Sequence, residues 1–205
     1  MSDNESTSKS SRVSREDAEQ RLITSFIDLL GRHPINEITV DLIASTAGLK
    51  SGHVLVHRYF ESRVGLISAT AHELSNSVVD AMNRGLDDLN GRESQNCLTL
   101  MEQSVEPLRR RAVLVGELMS ANADPSIHAV DSRSITDVFA RCFESAGLAP
   151  RIARAIALKV FVLMSLRSTH HNWMGASDAD EADVTQLLMF EVDNAMNVAQ
   201  QMGWI

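Results

Sequence analysis

Residues 39–66 read TVDLIASTAGLKSGHVLVHRYFESRVGL, and the succession of short helices in this stretch decides the fold. Thr39 carries a side-chain oxygen of the kind that accepts from the unpaired N–H groups at a helix start. Val40, Ile43, Ala44 and Ala47 follow at helical spacing. Gly48 suits a left-handed turn position and closes that helix. The pattern predicts a next helix from near Ser51 to Tyr59 or Phe60, and another capped by Ser62 that starts with Arg63, Val64 and Leu66. Upstream, Ser14 followed by Asp17 resembles an N-cap. Leu22, Ile23, Phe26, Ile27 and Leu30 then recur at helical spacing up to Gly31, with Pro34 as a stop signal. Short helices with a glycine-containing turn before the last of them read as a helix-turn-helix. Val40, Ile43, Ala47, Val54, Val56 and Phe60 are its expected small core.

Beyond Leu66 only helical periodicity is found. One helix is expected from Leu66 to about Leu89, ending at Asn90-Gly91. Two more are expected over 97–106 and 108–121, separated or kinked at Pro107. Asp124-Pro125 opens a segment running to Gly147. Pro150 starts a long helix with Ile152, Ile156, Val160, Leu163, Met164 and Leu166, reaching about Trp173. A last helix carries Val184, Leu187, Leu188, Ala195, Met196, Ala199 and Met202. The expected architecture is all-α with about nine helices. Its domains are a flexible arm over 1–13, a helix-turn-helix domain over 14–66 and a larger helical domain over 67–205.

Composition agrees. With 44% apolar and 22% charged residues over 205 positions, the chain is able to build a core, so disorder along its whole length is excluded. Four prolines, ten glycines and one tyrosine favour helix over sheet. Apolar runs are interrupted well before the ~20 residues of a membrane span. Met1 to Ser14 is polar and lacks the apolar segment of a secretory signal. Cys97 and Cys142 form neither a disulfide framework nor a metal-ligand spacing. A reduced, cytoplasmic chain with no membrane partner is therefore expected. The net charge of −8 is carried mainly by the C-terminal part, since residues 1–66 hold eight Lys/Arg against nine Asp/Glu. Such a charge balance argues against indiscriminate coating of DNA, though it does not decide what a local patch binds.

The block from Leu22 to Leu66 resembles the DNA-binding domain of the TetR family of transcriptional regulators. The family pattern is an apolar first helix, then T-V-x-x-I-A-x-x-A-G-V, a short tyrosine-rich recognition helix and F-x-S-K-x-x-L. Thr39, Val40, Ile43, Ala44, Ala47, Gly48 and Leu49 stand in that register, followed by Tyr59, Phe60, Ser62, Arg63 and Leu66. Gly48 to Phe60 spans twelve residues, two more than the family spacing, with the extra length within Leu49–Val54. His57 and Arg58 replace the usual tyrosines, and Arg63 the usual lysine.

The resemblance implies a sequence-specific regulator, a repressor released by a small-molecule effector. It also implies a homodimer through the helices at about 150–173 and 180–202, bound to a palindromic double-stranded DNA operator. Two recognition helices then enter successive major grooves. The effector pocket is expected among the helices over about 66–146.

Independently of the name, Lys50, Arg58 and Arg63 against Glu61 make Leu49–Arg63 the most basic stretch of the N-terminal half. A recognition helix presents its N-terminal residues to base edges, here Lys50, Ser51, Gly52 and His53, with Leu55 and His57 further along. Gly52 is expected to allow close backbone approach to the duplex. Arg58 and Tyr59 are further candidate contacts, Tyr59 doubling as a packing residue. Ser62 and Arg63 open a helix whose unpaired N–H groups favour phosphate, and Thr39 is placed the same way. Lys9, Arg12 and Arg15 belong to an arm that is either solvated or tracks the minor groove.

Other features have plainer readings. Arg109-Arg110-Arg111 is expected to be a solvated helix face, with an interdomain ion pair or an anionic ligand as the alternative. Adjacent His170 and His171 point ~100° apart on a helix, so with His72 and His128 they make no metal site. Met82, Met101, Met119, Phe139, Phe143, Phe161 and Met164 are expected as core that also lines an effector pocket, methionine being adaptable. No Gly-rich phosphate loop, nucleophile elbow or metal-ligand spacing is present, so no enzyme and no cofactor are expected. The competing reading is an all-α protein with a degenerate helix-turn-helix, acting through its C-terminal domain by partner binding or as a small-molecule enzyme.

Overall fold

The computed structural model describes the backbone of residues 14–87, 93–121 and 126–174, with 190, 193, 194, 197, 198 and 200–203. Side chains are described for these except 93–98, 126–128 and 164–174. Among the described residues there are seven α-helices, one short 3-10 turn at Ile35–Glu37, and no strand. The chain divides into two compact units, Met1–Glu61 and Ser62–Ile205.

The first unit holds α1 (Arg15–Leu30), α2 (Val40–Thr46) and α3 (Gly52–Phe60). Ser14 Oγ accepts from the Asp17 N–H at 3.1 Å, which satisfies one of the orphan donors of the first turn. Leu22, Phe26 and Leu29 of α1, Ile38 ahead of α2, Val40, Ile43 and Ala44 of α2 and Val56 of α3 are all buried. Each large apolar side chain removed from water contributes roughly 1.5–3 kcal/mol, so these few residues hold the small unit together. The arm residues Lys9 and Arg12 lie outside the described residues. Arg15 is no arm residue: it opens α1 and bonds Glu19 through Nε at 2.6 Å.

The second unit holds α4 (Arg63–Asp87), α5 (Glu93–Ser120), α6 (Ser126–Ser145) and α7 (Pro150–Met174). α5 touches all three others. Pro107 lies inside α5, so of the two expected outcomes the separation into two helices is not found. Its missing N–H costs one helical hydrogen bond, yet Met101, Ser104, Leu108 and Leu114 on both sides of it are buried. Tertiary packing thus keeps both halves in one helix. Of the expected last helix, residues 190, 193, 194, 197, 198, 200 and 201 are helical and Met202 lies in a turn; its remaining residues lie outside those described.

Met82, Met101, Phe139, Phe143 and Phe161 belong to one buried cluster with Leu108, Val138, Ala153 and Val160. They are core. Met119, near the end of α5, is 70% exposed and so is not part of that core. The side chain of Met164 lies outside the described residues. A cleft of about 680 Å³ opens along α6 and α7, lined by Asp137, Arg141, Glu144, Arg151, Arg154 and Leu158 among others. None of the expected pocket residues borders it.

The arginine run is not a uniform solvated face. Arg109 and Arg110 both grip Glu106, at 2.7 and 2.8 Å. Burial pushes the Glu106 carboxyl up, but the two guanidiniums outweigh it and hold its pKa below the ordinary value. Arg111 is 3% exposed. Its Nε donates to Ser75 Oγ at 2.6 Å and its Nη2 to Ser132 Oγ at 3.3 Å, and it lies 6.0 Å from the Phe161 ring centre. Burial lowers its pKa, and the charge of Asp131 opposes that shift. Asp131, itself buried, is bonded through Oδ1 to His72 Nδ1 at 2.9 Å. Its Oδ2 finds no hydrogen-bond partner. Among the described residues there is no cluster of three His, Cys, Asp or Glu able to hold a metal. Nor is any helix among them long and apolar enough to cross a membrane. The side chains of His128, His170 and His171 lie outside the described residues.

Candidate nucleic-acid interface

The geometry of α2 and α3 follows from local sequence. Thr39 Oγ1 accepts from the Leu42 N–H at 3.1 Å and so caps α2, while its side chain stays exposed. α2 ends where Gly48, at φ 68, turns the chain. The Gly48 N–H reaches Ser45 O at 3.1 Å and the Leu49 N–H reaches Ala44 O at 2.8 Å. These two bonds are the Schellman pattern that a left-handed glycine allows. Leu49, Lys50 and Ser51 lie ahead of α3, so the longer spacing places these three in the turn and only Gly52–Val54 of that window in the helix.

Ser51 caps α3 through its backbone alone, in a left-handed conformation with φ 62 and ψ 55. At the other end Glu61 also has positive φ, 65. Non-glycine residues held there cost of order 1 kcal/mol or more, so the short helix is bracketed by two strained positions.

The burial pattern of α3 divides it into two faces. Gly52 and Val56 are buried, and Leu55, Tyr59 and Phe60 are half-buried. His53, Val54, His57 and Arg58 are exposed, and Lys50 and Ser51 continue that exposed surface in the turn. Gly52 does not lie open to a duplex. A Cβ there would come within 2.8 Å of both Ala44 Cβ and Val40 O, so its lack of a side chain serves the close packing of α3 on α2.

Val54 departs from expectation in the other direction. It is 65% exposed and is no part of the small core. The signal was present in the sequence: Val54 and Val56 are two residues apart, ~200° around a helix, so only one of them faces inward. Leu55, by contrast, is turned partly into the unit.

Two further contacts order this face. His53 Nε2 lies 3.5 Å from Asp41 Oδ2, both side chains being well exposed. The Tyr59 ring is flanked by its neighbour Arg58 at 5.7 Å and by Arg15 of α1 at 5.8 Å, a cation–π arrangement whose Arg15 half no local pattern announced, since it joins α1 to α3. In the second unit, Ser62 Oγ accepts from the Gly65 N–H at 3.1 Å and caps α4 as expected. Arg63, the first residue of α4, is half-buried.

No family model matches the sequence, and no curated protein matches it. Solved structures do resemble it. A transcriptional regulator from Rhodococcus sp. Rha1 is 14% identical with a TM-score of 0.62, covering 90% of this chain and 96% of its own. A TetR-family transcriptional regulator from Streptomyces coelicolor is 18% identical with a TM-score of 0.59, covering 90% of this chain and 87% of its own. SmeT, the repressor of the Stenotrophomonas maltophilia multidrug efflux pump SmeDEF, is 17% identical with a TM-score of 0.54. It covers 91% of this chain and 90% of its own. The all-α fold of TetR-family regulators is thus the fold of this chain, the one implied by the motif at Leu22–Leu66.

Proposed function

We propose that this chain is a TetR-like, sequence-specific DNA-binding transcriptional regulator that represses as a homodimer and is released by a small-molecule effector. The observation that carries this reading is the exposed face of α3. There His53, His57 and Arg58 stand clear of the unit's core on a helix whose other face is packed, and Lys50 and Ser51 continue that surface in the preceding turn. A helix so divided fits a major groove, with side chains near its start at base edges. Thr39, Ser62 and Arg63 sit at helix starts and Tyr59 beside two guanidiniums. They are assigned to the phosphate backbone, which positions the protein without specifying sequence.

Dimerisation through the helices at about 150–173 and 180–202 is supported by apolar side chains left exposed there. Leu158 and Val162 on α7 are exposed, as are Phe190, Val198 and Met202 near the C-terminus. An effector acts by favouring a conformation in which the paired recognition helices no longer match the half-site spacing, and only by its differential affinity for the two states. The methionine-containing core of the second unit is the place for it, methionine being the side chain that repacks most readily.

The test is selection of bound duplexes from a random library at moderate salt, with stoichiometry read in parallel. A palindromic motif bound by dimers is the expected result. A folded protein that enriches no motif overturns the assignment and leaves the C-terminal unit as the carrier of function.

A further inference from the structure

Val54 is the apolar side chain on the outward face of α3, and about two thirds of it is exposed. Its surroundings are polar and cationic: His53 precedes it, His57 and Arg58 lie one turn further on, and Lys50 stands in the preceding turn of chain. Glu61 and Asp41 are the acidic side chains exposed in the neighbouring segments, and Asp41 is engaged with His53. An isolated methyl-bearing residue ringed by cations and imidazoles is poorly suited to a protein core, which would have to desolvate those groups as well. The complementary surface is an anionic one that offers small apolar spots.

Duplex DNA has that character. Its phosphates flank a major groove in which the C5 methyl of thymine is the apolar feature, every other readable group being a hydrogen-bond donor or acceptor. Val54 has neither donor nor acceptor, so it cannot bond a phosphate or a base edge. It is the third residue of α3, within the part of a recognition helix that meets bases. As a β-branched residue on a helix it is held in essentially one rotamer, so the contact is made without ordering a flexible side chain.

We infer that Val54 is a specificity-determining residue that reads thymine, by apolar contact with the C5 methyl, at one position of each half-site. This rests on the reading of the chain as a sequence-specific DNA-binding regulator. In that reading the histidines and cations around it serve hydrogen-bonded and phosphate contacts, while Val54 supplies the discrimination that they cannot.

The experiment uses the full chain and the duplex selected from a random library. Each thymidine of the half-site is replaced in turn by deoxyuridine, which removes the methyl and leaves base pairing unchanged. Wild type and Val54→Ala are measured side by side. Loss of about one buried methyl corresponds to roughly fourfold in affinity. The expected result is a loss of about that size per methyl removed for wild type at either of one symmetric pair of positions, and no loss there for Val54→Ala. Because Val54 is exposed, the variant keeps the fold, and an unchanged thermal unfolding transition serves as the check.

Equal binding of thymidine and deoxyuridine duplexes by wild type overturns the inference while leaving the regulator reading intact. So does a loss that Val54→Ala shares in full, or a selected half-site without a fixed thymine. A protein that selects no motif at all overturns both together.

Discussion

Gly52 offers the sharpest test of how α2 and α3 are held. Replacing glycine by alanine inside a helix ordinarily stabilises by ~0.5–1 kcal/mol, through backbone entropy and helix propensity. At Gly52 the added Cβ would lie 2.8 Å from Ala44 Cβ, 2.8 Å from Val40 O and 3.2 Å from Asp41 Oδ1. The first two belong to the framework of α2 and cannot swing aside. The helices must therefore separate by several tenths of an ångström, an overpacking that costs roughly 1–3 kcal/mol. The clash outweighs the propensity gain, and Gly52→Ala is expected to destabilise the first unit by about 1 kcal/mol or more.

Gly116 in α5 provides the matched control, because a Cβ there meets nothing within 4 Å. Gly116→Ala should stabilise the second unit by ~0.5–1 kcal/mol. Hydrogen exchange reads both outcomes locally. The amides of Ile43 and Ala47, bonded to Thr39 O and Ile43 O, should exchange at least about fivefold faster in Gly52→Ala, given that 1.4 kcal/mol is tenfold. Equal or slower exchange of these amides would refute the packing role of Gly52.

The remaining predictions concern the DNA face and the buried charges. Arg63→Ala should weaken binding by a similar factor for all sequences and flatten the salt slope by about one; a change of preferred sequence with unchanged slope would contradict a phosphate role. Replacing His53 or His57 with Ala should relax selection at particular base positions, and an unaltered motif from both variants would remove them from base reading. Arg111→Met removes the hydrogen bonds to Ser75 and Ser132 and the charge that acts on buried Asp131, and should cost about 1–3 kcal/mol in denaturant unfolding. The double change Arg111→Met with Asp131→Leu should recover most of that loss, and a single variant as stable as the double would show that the two charges are not coupled.

The elements that could be read from the chain alone are those settled within about four residues. Ser14, Thr39 and Ser62 each cap the helix they precede. Gly48 adopts the left-handed turn. These depend on one side chain, or one missing Cβ, and the adjacent N–H groups. The helical periodicity of α1, α4, α6 and α7 was legible for a similar reason, because the apolar stripe and its stop signals lie in one short window.

What tertiary structure decided was which side of each helix another helix covers. Val54 faces out and Val56 in, Gly52 packs on α2, and Tyr59 lies between Arg15 and Arg58. Pro107 stays inside α5, Met119 points to solvent, and Arg111 is buried while Arg109 and Arg110 are not. Composition and spacing describe the face a helix offers, but burial is a property of two surfaces. The second surface comes from a segment distant in the chain, so its effect on any one side chain enters only when the helices meet.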